Sequence, residues 1–185
     1  MSDETQRPAS QAHRVRRMAG RDPREPNRAA TPLELLFDLT FVVAFSIAAS
    51  EFAHAVTGGH VAAGLAGFFF AIFSVCWAWI NFSWFASAYD TDDWVYRLTT
   101  MLQMGGVIIL ALGLPQLYAS IEHGGHVDNA VVVAGYVVMR VAMVAQWLRA
   151  AAQDPLRRKA CLTYALWITV AQIGWVVSIF LVTSI

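Results

Sequence analysis

Long apolar stretches separated by short polar connections run through most of the chain. Each stretch is long enough, at a helical rise of about 1.5 Å per residue, to cross a hydrocarbon core of about 30 Å. They lack the strict alternation of barrel strands, and a helix satisfies its own backbone hydrogen bonds in lipid. The pattern therefore predicts an all-α bundle of about five transmembrane helices over residues 31–185. The predicted helices lie near residues 33–56, 61–87, 98–117, 130–151 and 160–183.

Local signals at the ends of these stretches support the same division. Thr31 and Pro32 are residue types that favour the N-cap and the first position of a helix. Paired glycines at 58–59 and 124–125 favour turns in two of the connections. We therefore expect short loops and an up-and-down arrangement of the helices.

Residues 1–30 differ from the rest of the chain. They contain seven arginines and three prolines but hardly any bulky apolar side chain. Such a segment cannot bury enough apolar surface to offset the conformational entropy lost on ordering. We therefore expect a flexible, basic, cytoplasmic tail. It does not resemble a cleaved signal peptide, because the apolar run comes only after the polar segment and is too long.

Composition then narrows the class of protein. Hydrophobic residues make up 57% of the chain and charged residues 14%, whereas soluble domains carry about 25% charged residues. These values exclude a disordered protein and a basic nucleic-acid-binding domain. The two cysteines exclude a disulfide-stapled secreted fold. We expect the lipid bilayer as the main partner and no nucleic acid.

The basic residues predict the orientation in the membrane. The chain has 13 Lys and Arg residues, and Arg140 lies inside the fourth apolar stretch. All the others fall in residues 1–30 or beside connections on the same side of the membrane. The positive-inside rule predicts a multi-pass membrane protein with a cytoplasmic N-terminus. Because the chain stops inside an apolar run, we interpret it as an N-terminal portion of a longer protein.

Three charged residues fall within or beside the predicted spans. Glu34 and Asp38 share one face of the first helix, where they would form a cation or proton site or, alternatively, a capping contact or fixed ion pair. Arg140 lies near the middle of the fourth helix, where an unpaired charge is very unfavourable. From depth alone we predict that Arg140 pairs with Asp38, either as a structural clamp or as a charge that meets a substrate.

Polar residues near the boundaries carry weaker signals. Tryptophans and tyrosines around Asn81 are typical of an interfacial belt, which we favour over the alternative of a ligand-binding aromatic box, and Asn81 is expected to bond across helices. Asp90, Asp92 and Asp93 would hold Mg²⁺ or Ca²⁺ or, as we favour, cap the third helix. The histidines His60, His123 and His126 form a weak external candidate for a transition-metal site. We expect no cofactor, and no catalytic constellation of an enzyme is visible.

Several of these segments together resemble the bacterial low temperature requirement A family of integral membrane proteins. The resemblance rests on TPLELLFDLTFVVAF at 31–45, on WAWINFSWFASAYDTDD at 77–93, and on 97–115 and 135–149. It implies a polytopic inner-membrane protein about twice this length, with no settled biochemical activity. The positions that carry over, with no role assigned, are Glu34, Asp38, Asn81, Asp90, Asp92, Asp93 and Arg140.

Two functional hypotheses follow from these observations. The first is an ion-coupled transporter that uses Asp38 and Arg140. The alternative is a non-transporting membrane component that supports growth in the cold through assembly or lipid interaction, as the family name suggests. In either case the expected protein partners are a second copy of the chain or the missing C-terminal half.

Overall fold

The structure is a computed structural model that describes residues 16–21, 30–89, 91–123 and 127–182. Within these residues the chain forms five helices and no strands, and all five are long and apolar enough to cross a membrane. This confirms the predicted fold. The helices are α1 (Pro32–Thr57), α2 (Val61–Ala88), α3 (Trp94–His123), α4 (Ala130–Gln153) and α5 (Arg158–Val182).

Helix α1 begins with a complete capping box. The Thr31 hydroxyl accepts a hydrogen bond from the Glu34 backbone N–H at 3.2 Å, and the Glu34 carboxylate accepts one from the Thr31 N–H at 3.0 Å. Pro32 occupies the first turn, where its missing N–H costs nothing. Of the two interpretations of Glu34, the structure shows the capping contact.

Helix α3 is longer than the sequence predicts. It begins at Trp94, because the Asp93 carboxylate accepts a hydrogen bond from the Tyr96 N–H at 2.9 Å and so satisfies one of the first free donors. It also continues through Pro115 to His123. A proline removes one backbone bond, and membrane helices tolerate this when neighbouring helices enclose the site.

Helices α3 and α4 form the centre of the bundle. Gly135 of α4 faces Gly106 of α3, and a Cβ at Gly135 would stand 2.6 Å from the Gly106 carbonyl oxygen. Only glycine permits this approach. Two buried glutamines cross the same interface: Gln103 donates to the Gln146 side-chain oxygen at 2.8 Å, and Gln146 donates to the Thr99 hydroxyl at 2.9 Å.

The outer helices are arranged unequally around this pair. Helix α1 packs on α2 and α3, whereas α5 packs on α4. Helix α2 also touches α4, and in the described residues α2 and α5 make no backbone contact with each other, nor do α1 and α4. A groove therefore runs between α2 and α5 with α4 as its floor.

One end of the bundle is rich in basic residues, and we call it the basic end. There α1, α3 and α5 begin and α2 and α4 end. Residues 16–21 lie across it, with Met18 fully buried in the core. The Met18 N–H donates to the Gln153 side-chain oxygen at 2.6 Å, and the Arg21 N–H donates to the Ala88 carbonyl at 2.9 Å.

The hypothesis of a flexible tail over residues 1–30 is therefore wrong for residues 16–21. Their ordering comes from backbone donors and one methionine that meet partners far along the chain, which composition does not show. Residues 1–15 and 22–29 lie outside the described residues.

The outward surface of the bundle is strongly apolar. Large aliphatic and aromatic side chains on all five helices are more than half exposed, including Leu39, Phe69, Leu112, Val141 and Leu166. Soluble proteins rarely expose apolar surface on this scale. The chain is a multi-pass membrane protein, and its surroundings over these helices are the bilayer.

Candidate functional site

Arg140 is buried inside the bundle. Its exposed fraction is 6%, and its guanidinium carbon lies 5.1 Å from the centre of the Tyr136 ring, one helical turn away. The Tyr136 hydroxyl in turn donates to the Ser74 carbonyl of α2. Among the ion pairs of the described residues, none involves Arg140. The contact with the ring is a cation–π interaction, which does not neutralise the charge.

Beside Arg140 is a cavity of 470 Å³ in the groove between α2 and α5. We call it the guanidinium cavity. Helix α2 contributes Trp77, Asn81 and Trp84 to it, and α5 contributes residues that include Tyr164 and Trp167. Its size and its mixture of aromatic walls with a few polar groups are typical of ligand-binding sites.

Asn81 reaches this cavity but does not bond across helices in the structure. Its side-chain nitrogen donates to the Trp77 carbonyl one turn earlier, at 2.6 Å. The sequence expectation of a bond between helices is therefore wrong. Amide side chains that find a backbone acceptor on their own helix need no neighbour.

A second cavity, of 230 Å³, lies between α1 and α2 at the basic end. We call it the carboxylate cavity, because Glu34 and Asp38 both line it. The Trp79 indole N–H donates to the Asp38 carboxylate at 2.7 Å, and Asp38 is half-buried. The shared face predicted for Glu34 and Asp38 is thus present, and it points into a cavity.

The predicted pairing of Arg140 with Asp38 is wrong. Asp38 lies on α1 and Arg140 on α4, and these two helices are not neighbours in the described bundle. Helix α2 stands between the two cavities, with Trp79 on the carboxylate side and Asn81 on the guanidinium side. At about 100° per residue, positions two apart lie on nearly opposite faces of a helix. Equal depth therefore did not imply contact.

A layer of three aromatic side chains lies next to Arg140, on the side away from the basic end. The Trp175 ring stacks on Tyr136 with a centroid distance of 5.2 Å, and its edge meets Phe70 at 5.5 Å. Beyond this layer is an apolar cavity of 700 Å³ that Phe70 and Trp175 also line. Ala171 borders both cavities, so the two lie in line along the groove.

Three arginines at the basic end form ion pairs in the described residues: Arg97 with Asp92, Arg149 with Asp93 and Arg157 with Asp154. Arg149 of α4 forms two hydrogen bonds to the Asp93 carboxylate and also donates to the Arg16 carbonyl at 3.0 Å. The Arg16 N–H donates to Asp93 at 3.1 Å. We call the set Arg16, Asp93 and Arg149, together with Gln153, Asp154 and Arg157, the terminal clamp.

The carboxylates of the terminal clamp are held in the charged form. Burial raises the pKa of Asp93, but the hydrogen bond and charge of Arg149 and the N–H of Tyr96 outweigh it and lower the pKa below its ordinary value. Burial likewise raises the pKa of Asp154, and hydrogen bonds led by Arg157 lower it overall. These groups therefore stabilise the end of the bundle through fixed charges.

Two carboxylates of the acidic cluster before α3 make structural contacts, as a helix cap and as partners in ion pairs. Asp93 caps α3 and pairs with Arg149, while the exposed Asp92 pairs with Arg97 at 2.8 Å. This agrees with the capping interpretation that we favoured over a Mg²⁺ or Ca²⁺ site. Asp90 lies outside the described residues.

The histidine site receives no support from the described residues. They include no group of three His, Cys, Asp or Glu side chains that would hold a metal ion. His60 precedes α2 as its exposed N-cap residue. The side chain of His123 and all of His126 lie outside the described residues.

Some residues that shape these sites were not found from the sequence. They are Tyr136, Trp175, Arg149, Asp154 and the glutamine pair of α3 and α4. Gln103 and Gln146 had a usable signal, because amides within apolar spans call for partners. Tyr136 and Trp175 had none, because aromatic residues are frequent throughout this chain.

The chain was compared with known protein families, curated proteins and solved structures. Residues 29–185 match the family model described as bacterial low temperature requirement A protein. Neither the curated proteins nor the solved structures gave a match. The matched region contains all five helices and both charged cavities.

Proposed function

The chain belongs to the bacterial low temperature requirement A family, and from that premise we propose that it is an ion-coupled transporter. In this proposal Arg140 binds an anionic substrate and Asp38 carries the coupling proton or cation. The observation behind the proposal is that the guanidinium of Arg140 is buried beside a cavity without an ion-pair partner among the described residues.

The energetic argument starts from the cost of burying a charge. An arginine remains protonated in proteins, and an isolated charge within a membrane is expensive. Elsewhere on the same helix, Arg149 forms an ion pair with the buried carboxylate of Asp93, so the fold does neutralise a buried arginine at that position. The Arg140 guanidinium instead contacts the Tyr136 ring and borders the guanidinium cavity. A bound anion would supply the missing counter-charge.

The arrangement of the cavities supports a path across the bundle. The guanidinium cavity and the apolar cavity lie in line and are divided by Phe70, Tyr136 and Trp175. Rotation of these aromatic side chains would join the cavities. Tyr136 contacts Arg140, so an anion at the guanidinium would act directly on this layer.

Asp38 is suited to the coupling role for two reasons. Its observed partner is the neutral N–H of Trp79, which leaves the carboxylate free of a fixed cation in the described part of the chain. Trp79 belongs to α2, which also carries the wall of the guanidinium cavity. Protonation or cation binding at Asp38 would weaken the bond to Trp79 and so bias the position of α2.

We further propose that the basic end is cytoplasmic and that the protein resides in the inner membrane. Arg97, Arg149 and residues 157–159 all lie at that end, as the positive-inside rule requires. The test is labelling of Thr57→Cys and Lys159→Cys in a chain whose native cysteines are alanine. An impermeant maleimide added to intact cells should label position 57 and leave position 159 unlabelled; the reverse pattern would overturn the orientation.

The test of transport is a flux assay with the full chain in liposomes that contain a pH-sensitive dye. Inward gradients of chloride and of naphthalene-2-sulfonate, two anions that cross lipid poorly, serve as probes. We expect protein-dependent uptake of at least one anion that responds to an imposed proton or sodium gradient. Asp38→Asn should abolish this response, whereas Asp128→Asn, an exposed carboxylate that lines none of the three cavities described, should preserve it.

Absence of flux for both anions in folded protein would contradict the transporter proposal. It would favour the alternative of a non-transporting component that acts through assembly or lipid interaction. Uptake that is identical in wild type and Asp38→Asn would keep anion transport but remove the coupling role of Asp38.

A further inference from the structure

We infer that the guanidinium cavity takes an organic monoanion with an apolar, preferably flat body, such as an aromatic carboxylate or the charged head of an anionic amphiphile. This rests on the proposed function, because it names the substrate class of the same cavity. The inference depends on three features: the charge of the cavity, the chemistry of its walls and the direction in which it opens.

The charge of the cavity selects a monoanion. Among the described residues that line it, Arg140 is the single charged one, and the polar groups beside it are neutral, chiefly Asn81, Thr163 and Tyr164. One guanidinium balances one negative charge, and its planar pair of N–H groups fits the two oxygens of a carboxylate or phosphate. A dianion would bring a second charge into the span without a partner.

The walls select an apolar body. Trp77 and Trp84 face the cavity from α2, and Tyr164 and Trp167 face it from α5. Indole and phenol rings on two opposite walls suit a flat ring or a hydrocarbon segment, with which they form stacked or edge contacts. The volume of 470 Å³ leaves room for such a body besides the charged group. A small inorganic anion would leave most of this space unfilled.

The cavity opens sideways, between helices. Trp84 is 56% exposed and Trp167 is 65% exposed, and their helices make no backbone contact in the described residues. The opening therefore faces the bilayer, and it extends inward from the basic end, where Trp84 and Ala160 lie near the ends of their helices. An amphiphilic anion that partitions into lipid would reach Arg140 by this route without crossing the terminal clamp.

Binding is to be measured by isothermal titration of the full chain in phosphatidylcholine nanodiscs, with empty nanodiscs as the reference. The probes are naphthalene-2-carboxylate and its neutral isostere, naphthalene-2-carboxamide. We expect the carboxylate to bind at least about tenfold more tightly than the carboxamide, since a hydrogen-bonded charge favours the anion. Arg140→Gln should remove this preference.

Two further variants guard against misfolding and nonspecific effects. Arg97→Gln removes an arginine that pairs at the surface with Asp92 and should keep the preference for the carboxylate. Thr163→Phe, at an exposed position on the cavity wall, leaves Arg140 in place and should weaken both probes by filling the space. Equal binding of the two probes, or an unchanged preference in Arg140→Gln, would overturn the inference.

A final arm identifies the source of the anion. If replacing part of the phosphatidylcholine by phosphatidylglycerol weakens naphthalene-2-carboxylate binding, the ligand class includes the headgroup of an anionic lipid. If it does not, the class is a free organic acid. Binding without flux would retain this inference and reject transport. Flux without Arg140-dependent binding would retain transport and reject this inference.

Discussion

Two arginines of the same helix meet opposite environments. Arg149 is held by the buried carboxylate of Asp93 and by the carbonyl of Arg16, at the basic end. Arg140 meets the ring of Tyr136 and a cavity. Nine residues correspond to about two and a half helical turns, so the two side chains leave α4 in nearly opposite directions. Arg149 therefore faces α3, and Arg140 faces the groove between α2 and α5.

The contrast separates a stabilising charge from a charge available to a ligand. In the terminal clamp each carboxylate has a basic partner and several hydrogen bonds, so breaking it leaves a buried charge without compensation. At Arg140 the uncompensated charge is already part of the folded protein. Removing it should relieve a cost. The predictions below use stability to test this difference.

The largest effect is expected for Asp93→Asn. The Asp93 side chain is fully buried and that of Arg149 is 14% exposed, so loss of the carboxylate leaves a nearly buried guanidinium. We expect the free energy of unfolding to fall by about 3–5 kcal/mol. Thermal unfolding in detergent measures it. The matched control is Asp92→Asn, whose exposed pair with Arg97 should contribute less than about 1 kcal/mol; equal losses would contradict the contrast.

Low pH should also destabilise the terminal clamp, because protonation of Asp93 removes the same negative charge. The pKa of Asp93 is lowered in the folded protein, because hydrogen bonds and the charge of Arg149 outweigh burial. The stability from this group is therefore present above the unfolded-state pKa, near 3.9 for Asp, and is lost as pH falls through the folded-state pKa. Unfolding temperatures at pH 6 and pH 3 should differ less in Asp93→Asn than in wild type. An equal difference would show that other carboxylates control the response.

Loss of a neutral hydrogen bond on α4 should lower the stability by an intermediate amount, less than Asp93→Asn and more than Arg140→Gln. Gln146 accepts from Gln103 and donates to Thr99, so Gln146→Leu leaves the buried amide of Gln103 without its acceptor. We expect a loss of about 1–2 kcal/mol in the free energy of unfolding. The double variant with Gln103→Leu should recover part of it, because both polar groups are then removed. No recovery would mean that packing, rather than hydrogen bonding, sets the loss.

The smallest effect on stability is expected for Arg140→Gln. The variant loses a cation–π contact, which contributes about 0.5–2 kcal/mol, but also removes a buried charge whose desolvation opposes folding. We expect the free energy of unfolding to change by less than about 1 kcal/mol while ligand binding is lost. A loss as large as that of Asp93→Asn would indicate a structural ion pair and break the contrast.

Much of the candidate site was visible in the sequence as single residues. Glu34, Asp38 and Arg140 stood out because charges within apolar spans are rare. Asp93 stood out as a helix cap, and the structure shows that role together with the pair to Arg149. The partner of Arg140 was not predictable, because the choice of Asp38 used depth alone and ignored which helices are neighbours.

The sequence by itself determined the helices, their number and approximate ends, and the side of the bundle on which the basic residues lie. These properties depend on local composition and on the distance that a helix must span in lipid. The tertiary structure alone decided which faces meet: that α2 separates Asp38 from Arg140, that Met18 is buried, and that aromatic side chains of three helices form one layer. In a chain so uniformly apolar, the pattern does not distinguish a face that meets a helix from one that meets lipid. Close packing makes that choice, through features such as the approach of Gly106 and Gly135.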